Sequence, residues 1–134
     1  MSKGEDKIAA VIKKTMLKNH RYSSFKREVK FNDLKYKDSN LRFDFGFRDN
    51  GKLILVEFDG QQHFSKVKFF KNYEHMKEND RRKNQYCIAN SIPLYRIPFW
   101  DIDKIHSIED IIQSQYKVTS KYHNDNLVWD KRVK

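Results

Sequence analysis

The stretch LRFDFGFRDNGKLILVEFDG, residues 41–60, decides the fold. In residues 41–47 every second side chain is apolar, the period of two that predicts a half-buried strand. Asn50 and Gly51 follow, and because both tolerate positive φ they predict a tight hairpin turn. Residues 52–58 are mostly apolar on both faces, as expected of a central strand. A hairpin of two buried strands is therefore the expected nucleus of the fold.

Two carboxylates interrupt this apolar hairpin. Asp44 lies on the polar side of the first strand, and Glu57 comes near the end of the second. Antiparallel pairing across a tight turn brings both carboxylates to one end of the hairpin. Hard oxygen ligands held together suit a divalent cation, which neutralises charge and lowers the pKa of a bound water. Taken singly, each residue has a structural alternative, a solvated Asp or a Glu beside a turn.

The flanking sequence completes an α/β domain. The other predicted elements are a helix at 5–17, a strand at 25–31, a helix at 74–90, a strand at 92–97 and a helix at 107–116. We expect a polar connection at 32–40, and residues 64–73 show no clear period. The order αβββαβα predicts a mixed central sheet flanked by helices. We assign residues 1–117 to one domain and 118–134 to a polar tail, docked or flexible.

One stripe of the second predicted helix mixes charge with apolar residues. Met76, Asp80, Lys83 and Cys87 recur at spacings of three and four and so share one face. A simple surface ion pair is the alternative, but charges flanked by Met and Cys are better explained if this face borders a polar site. Cys87 is the single cysteine, which excludes an internal disulfide, and we expect a small core residue rather than a nucleophile.

Charge and composition point to a polyanionic partner. The 134 residues carry 28 Lys plus Arg against 18 Asp plus Glu, a formal net charge of +10. Such a balance is typical of nucleic-acid binding, although a basic surface without a partner is the alternative. No apolar run reaches the roughly 18 residues of a membrane span, and no secretory signal is apparent. We therefore expect no membrane partner and a cytoplasmic protein.

The carboxylate hairpin also carries a resemblance to a known family. Residues 43–45 and 57–63, Phe-Asp-Phe and Glu-Phe-Asp-Gly-Gln-Gln-His, resemble the PD-(D/E)XK nuclease superfamily. Within it they resemble the very-short-patch-repair-like branch, which includes phage EDxHD homing endonucleases. Residues 80–84 and 93–98 are also similar to that branch, so the resemblance covers about residues 25–100. It implies a restriction-endonuclease-like core and a Mg²⁺-dependent DNA endonuclease in which Mn²⁺ can substitute.

The resemblance implies a metal site with one departure from the superfamily pattern. Asp44 would be the principal metal ligand, and Glu57 or Asp59 would complete the ligand set. The superfamily's Glu-X-Lys motif would place a lysine at position 59, where this chain has Asp59. The usual lysine role in orienting water or stabilising charge is therefore vacant at that position.

Glu28, His63 and Asp80 would match the remaining letters of the EDxHD pattern. His63 can fill the vacancy as general base, because an imidazole with a pKa near 6.5 is partly neutral at working pH. Lys83 is the other candidate. A loop histidine hydrogen-bonded to backbone is the structural alternative for His63.

A set of basic and polar side chains around this motif is expected to contact DNA, chiefly through phosphates. Its members are Gln62, Lys66, Lys68, Lys71, Arg81 and Arg82. Phe69, Phe70 and Tyr73 are interleaved with the lysines and either stack on bases or turn into the core.

Three functions stay open at this level. The first is a homing-type endonuclease from a phage or mobile element, acting in the cytoplasm of a bacterial host. The second is a structure-specific nuclease, such as a junction resolvase or repair nickase, because one fold core serves both. The third is a catalytically silent DNA-binding domain. Double-stranded DNA is the expected substrate, RNA stays a candidate, and long-site recognition would require a homodimer or the tail.

Overall fold

The computed structural model describes residues 2–60 and 70–120. Its elements are α1 (Lys3–Lys18), β1 (Tyr22–Tyr36), β2 (Ser39–Asp49), β3 (Lys52–Asp59), α2 (Phe70–Ala89), β4 (Leu94–Pro98) and α3 (Ile108–Ile111), with 3₁₀ turns at Phe99–Lys104 and Ser114–Tyr116. The four strands form one sheet in the order β1-β2-β3-β4. Pairing is antiparallel except between β3 and β4, which are parallel. The expected α/β class and mixed sheet flanked by helices are confirmed.

α1 and α2 pack on opposite faces of this sheet, as two successive residues of β3 show. Successive side chains of a strand point to opposite faces. Phe58 faces α1, where a Cβ built on Gly4 would collide with the Phe58 ring, so a larger residue there requires the ring to move. Glu57 faces α2, where Lys83 contacts it. The side chain of Glu57 therefore lies on the face of the sheet that α2 covers.

The first hairpin is longer than the sequence pattern predicts. The polar connection expected at 32–40 is wrong, because β1 runs to Tyr36 and β2 starts at Ser39. Lys37 and Asp38 form the turn with φ values of 51° and 66°. Two successive left-handed residues match the right-handed twist of a hairpin, but this geometry is usually signalled by Asn and Gly. The predicted Asn50-Gly51 turn is confirmed, with φ values of 51° and 85°.

Two of the helix boundaries that differ from the predictions are the start of α1 and the end of α3. α1 starts at Lys3, since the Ser2 side chain accepts a hydrogen bond from the Glu5 N–H. α3 starts as predicted after Ser107 but ends at Ile111 rather than Tyr116. Its continuation is interrupted because Tyr116 is buried and its hydroxyl donates to Asp101 at 2.9 Å.

The segment that follows α3 docks on the sheet. The N–H of Val118 donates to the carbonyl of Leu94 at 2.8 Å, and the Val118 side chain is buried. The first residues of the predicted tail are therefore docked, while residues 121–134 lie outside the described part of the chain. Within the described residues no helix is long and apolar enough to cross a membrane.

Candidate active site

Asp44 and Glu57 lie side by side where the pairing of β2 with β3 ends. The register pairs Phe45 with Val56, and the next residues along the two strands are Asp44 and Glu57. At this point the two carboxylates, and not backbone carbonyls, accept hydrogen bonds from the backbone N–H groups. Oε2 of Glu57 accepts from the Asp44 N–H at 2.6 Å, and Oδ2 of Asp44 accepts from the Phe58 N–H at 2.8 Å. The predicted juxtaposition of the two carboxylates on neighbouring antiparallel strands is confirmed.

The two phenylalanines that flank Asp44 in β2 face different helices. Arg27, which pairs with an acid of α1, lies over the Phe45 ring, whereas Lys83 of α2 lies over the Phe43 ring. Side chains two apart on a regular strand share a face, so these two phenylalanines would be expected to contact the same helix. On the partner strand, Glu28 has a left-handed φ of 53°. The register pairs Arg27 with Phe45 and Val29 with Phe43, so Glu28 lies opposite Asp44.

The electrostatics of the pair leave it short of positive charge. Burial, and then the negative charge of Glu57, raise the pKa of Asp44 to about 8. The Phe58 N–H and Lys83 lower it, but by less, and the charge of Glu5 in the first turn of α1 raises it further. Our interpretation of the sequence missed Glu5, although the Ser2-to-Glu5 capping spacing would have placed it in that turn. The site therefore favours the binding of a proton or another cation.

Lys83 is the cation that contacts the pair directly. Its Nζ donates to Oε1 of Glu57 at 2.7 Å, and its side chain is only 13% exposed. Burial lowers the pKa of Lys83, but the charges of Glu57 and Asp80 outweigh burial and the nearby Arg96, so the net shift is upward. Lys83 thus stays protonated at neutral pH and is poorly suited to act as a general base. The expected stripe of α2 does face the carboxylates.

A buried arginine network stands next to the pair. Arg96 of β4 lies beside Glu57 in the parallel register and is fully buried. It donates to Asp59 at 2.8 Å, to the Asn84 side chain at 2.8 Å and to the Asp80 carboxylate at 3.3 Å. Burial lowers the pKa of Arg96, but the neighbouring carboxylates raise it by more. The network links β3, β4 and α2 and so holds Lys83 within reach of Glu57.

Asp59 and Asp80, both predicted as site residues, belong to this network. Asp59 is fully buried, and its carboxylate accepts from Arg96 beside the Asp44 site rather than joining Asp44 and Glu57 in one cluster. Our interpretation of the sequence did not identify Arg96. The available signal was a single arginine inside the apolar strand Leu94–Pro98, which requires buried acids as partners.

The side chains of three further predicted residues have other partners, and the rest lie outside the described part of the chain. Glu28 is exposed and accepts from Arg42 at 2.6 Å. Arg81 and Arg82 both pair with Glu78, and Arg82 also lies over the Tyr36 ring. The other predicted site residues lie outside the described part of the chain, and of Lys71 in α2 the side chain does. They are Gln62, His63, Lys66, Lys68 and Lys71.

The fit to a metal ion rests on Asp44 and Glu57. Among residues 2–60 and 70–120 no group of three or more His, Cys, Asp or Glu side chains could hold a metal. Mg²⁺, however, is commonly bound through one or two carboxylates while it keeps several waters. No described residue donates to Oδ1 of Asp44, and the raised pKa marks a deficit of positive charge. The two carboxylates therefore fit such an ion.

Cys87 does not take part in this chemistry. It is a buried residue of α2, and burial raises the pKa of its thiol to about 12. A thiol that stays protonated is neither a nucleophile nor a metal ligand at neutral pH. The predicted role as a small core residue is confirmed.

Comparison with protein-family models, curated proteins and solved structures finds no match to this chain.

Proposed function

We propose that this chain is a Mg²⁺-dependent endonuclease that hydrolyses phosphodiester bonds in DNA, with Asp44 and Glu57 holding the metal. The proposal rests on two hydrogen bonds that hold the carboxylates together. Glu57 accepts from the Asp44 N–H, and Asp44 accepts from the Phe58 N–H. The pKa of Asp44 rises to about 8, which indicates that nearby positive charge compensates the two carboxylates only in part. A divalent cation supplies the missing charge. We expect Mn²⁺ to substitute for Mg²⁺.

The residues of the chain take distinct parts in this proposal. Asp44 and Glu57 would hold the ion, which when bound would neutralise phosphate charge and lower the pKa of a water molecule. Lys83 stays protonated and stabilises negative charge at Glu57, a part that the superfamily pattern gives to a lysine at the position of Asp59. Asp59 is assigned to the Arg96 network and not to the metal.

His63 is our candidate for the general base. The raised pKa of Lys83 argues against the alternative candidate. An imidazole near its ordinary pKa accepts a proton at neutral pH, and His63 follows the last described residue of the β3 segment, Gly60, by three positions. Replacement of His63 by Ala is expected to impair cutting while leaving DNA binding nearly intact.

DNA is favoured as substrate by charge and by the carboxylate pair together. A net charge of +10 suits a polyanion. A catalytically silent DNA-binding domain is disfavoured, because two carboxylates presented to DNA repel it unless a cation occupies them. A homing-type activity, a restriction-endonuclease-like topology and a homodimer belong to the same proposal. A junction resolvase or repair nickase is the second candidate, since one fold core serves all of them.

A substrate panel tests this function. Supercoiled, linear, single-stranded and branched DNA, and one RNA duplex, are incubated with the protein in Mg²⁺, in Mn²⁺ and in a chelator. We expect metal-dependent cutting of at least one DNA substrate by the wild type. Asp44→Ala should be inactive, while Asp103→Ala, which removes a surface acid paired with Lys7, should cut normally. The absence of cutting on every substrate under every metal condition would refute the enzyme proposal.

A further inference from the structure

One exposed stripe of α1 carries three lysines and no acid. Ala10, Lys13, Lys14, Leu17 and Lys18 recur at offsets of three, four, seven and eight, so they share one face of the helix. All five are exposed, and Leu17 is 84% exposed, the large apolar side chain most open to solvent in the described chain. Among the described residues no acid pairs with the three lysines. We call this face the α1 lysine stripe.

The stripe leads away from the carboxylate pair. The first turn of α1 stands at the site, where Gly4 packs on the Phe58 ring and the charge of Glu5 acts on Asp44. A helix rises about 1.5 Å per residue, so the three lysines lie roughly 12 to 20 Å from Glu5 along the axis. The stripe is therefore a positive surface at a fixed distance from the site.

Polar and basic side chains also line a cavity beside the stripe. A cavity of about 370 Å³ beside it is lined by Lys14, Lys18, His106 and Ser107, among others. The acid in this lining is Glu109, whose carboxylate accepts from the Tyr22 hydroxyl at 2.8 Å. Lys13 lies over the Phe25 ring at 5.5 Å. Attraction to the negative end of the helix explains Lys18 in the last turn, but not Lys13 and Lys14, which precede it.

We propose that the α1 lysine stripe binds the phosphate backbone of duplex DNA about four to six base pairs from the position that is cut. This inference rests on the proposed function. A duplex presents phosphates every 3.4 Å per strand along its axis, so ~12 to 20 Å corresponds to about four to six base pairs. The lysines match phosphate charge, and Leu17 between them fits the less polar sugar surface. The contact is independent of base sequence, because it reads no base edge.

Two matched triple variants test the stripe. The first is Lys13→Gln with Lys14→Gln and Lys18→Gln. The control is Lys26→Gln with Lys30→Gln and Lys35→Gln, three exposed lysines of β1. Each triple lowers the formal net charge of +10 by three. Binding of a 30-base-pair duplex is followed by fluorescence anisotropy across a salt series without divalent metal, and cutting is measured separately in Mg²⁺.

The expected result is a difference in salt dependence. Each phosphate contact contributes about 0.9 to the slope of log affinity against log salt, so the α1 triple should lower the slope by about 2 to 3. The control triple should lower it by less than about 1. In Mg²⁺ with DNA well below saturation, the α1 triple should cut more slowly than the control triple, because it binds the duplex more weakly.

Three outcomes would overturn the stripe as a DNA surface. The first is an equal change of slope in the two triples. The second is a wild type that binds no duplex. The third is an α1 triple that loses binding to phosphatidylserine vesicles but keeps its binding to the duplex. The slope is measured without catalysis. A protein that binds through the stripe but never cuts refutes the nuclease proposal alone, and a protein that cuts with an unchanged slope refutes the stripe alone.

Discussion

The N–H of Asp44 donates to the Glu57 carboxylate at 2.6 Å, at the point where the pairing of β2 with β3 ends. The carboxylate of Asp44 in turn accepts from the next residue of β3, Phe58. The carboxylates of Asp44 and Glu57 accept these backbone hydrogen bonds in place of carbonyls. Two negative groups are therefore fixed at the partly buried end of the hairpin. Lys83 compensates one of them directly. In our proposal, the remaining negative charge is what binds the divalent cation.

The pKa of Asp44 predicts a pH dependence of stability. The folded pKa is about 8 against an ordinary value of 3.8, so the folded state binds the proton more tightly than the unfolded state. This contribution is fully present below about pH 4 and is lost as pH rises through about 8. Asp44→Asn should therefore match the wild type near pH 4 and exceed its free energy of unfolding by about 1 to 3 kcal/mol at pH 8.5.

Urea unfolding of both proteins at pH 4.5 and 8.5, without divalent metal, measures this difference. Asp33→Asn is a suitable control, because its carboxylate lies apart from the pair and accepts from Tyr86. A stability difference for Asp44→Asn that is the same at both pH values would contradict the raised pKa.

Lys83 is predicted to act through charge rather than by holding the metal. Lys83→Met removes a cation from Glu57 and leaves the carboxylate pair more negative, so affinity for Mg²⁺ should stay the same or rise. The cutting rate at saturating metal should fall by about 100-fold or more, the typical cost of removing one electrostatic stabiliser. Lys83→Arg should recover part of the rate.

A Mg²⁺ titration of the cutting rate separates the two effects for Lys83. If added Mg²⁺ restores the Lys83→Met rate to that of the wild type, the residue only supports metal binding and our assignment is wrong.

Arg96 is predicted to contribute most of its effect to stability. Arg96→Met removes the guanidinium that contacts the buried carboxylates of Asp59 and Asp80, which costs about 3 to 5 kcal/mol. Arg42→Met is the matched control, because Arg42 and Glu28 form a pair that is more than half exposed and worth less than about 1 kcal/mol. Chemical denaturation measures both. Equal small losses would show that the network is not a structural ion cluster.

The two hairpin turns predict substitutions of opposite sign. Lys37 and Asp38 adopt left-handed φ, which costs residues with a Cβ about 1 kcal/mol each. Lys37→Asn with Asp38→Gly should therefore raise the free energy of unfolding by about 0.5 to 1.5 kcal/mol. Gly51→Ala should lower it by about 1 kcal/mol, because a φ of 85° strains any residue with a Cβ even though the added Cβ meets no neighbour. Thermal unfolding of both variants tests the pair, and changes of the same sign would contradict the assigned turns.

The parts of the site that depend on local order were predictable from the sequence. Asp44 and Glu57 meet because a period of two and a tight turn fix the hairpin between them. The Lys37-Asp38 turn was missed because neither residue is typical of its backbone geometry. The length of α3 was missed because burial of Tyr116, and not helical periodicity, ends it.

The parts that depend on tertiary packing were not predictable in the same way. The charge of Glu5 reaches Asp44 only because α1 packs across β3. The α2 stripe indicated that Lys83 faces a polar site, but not that Glu57 is its partner. Asp59 follows the motif so closely in sequence that it appeared to be a ligand. Its burial against Arg96 depends on the parallel pairing of β3 with β4.

Single-turnover cutting of a DNA substrate in Mg²⁺, compared between wild type, Asp44→Asn and Asp59→Asn at equal folded concentration, separates the metal pair from the buried network. We predict that Asp44→Asn loses about 1,000-fold or more in rate while keeping its affinity for DNA. Asp59→Asn should retain most of the rate once its lower stability is taken into account. Cutting by Asp44→Asn at the wild-type rate would contradict the assignment of this carboxylate pair as the catalytic centre.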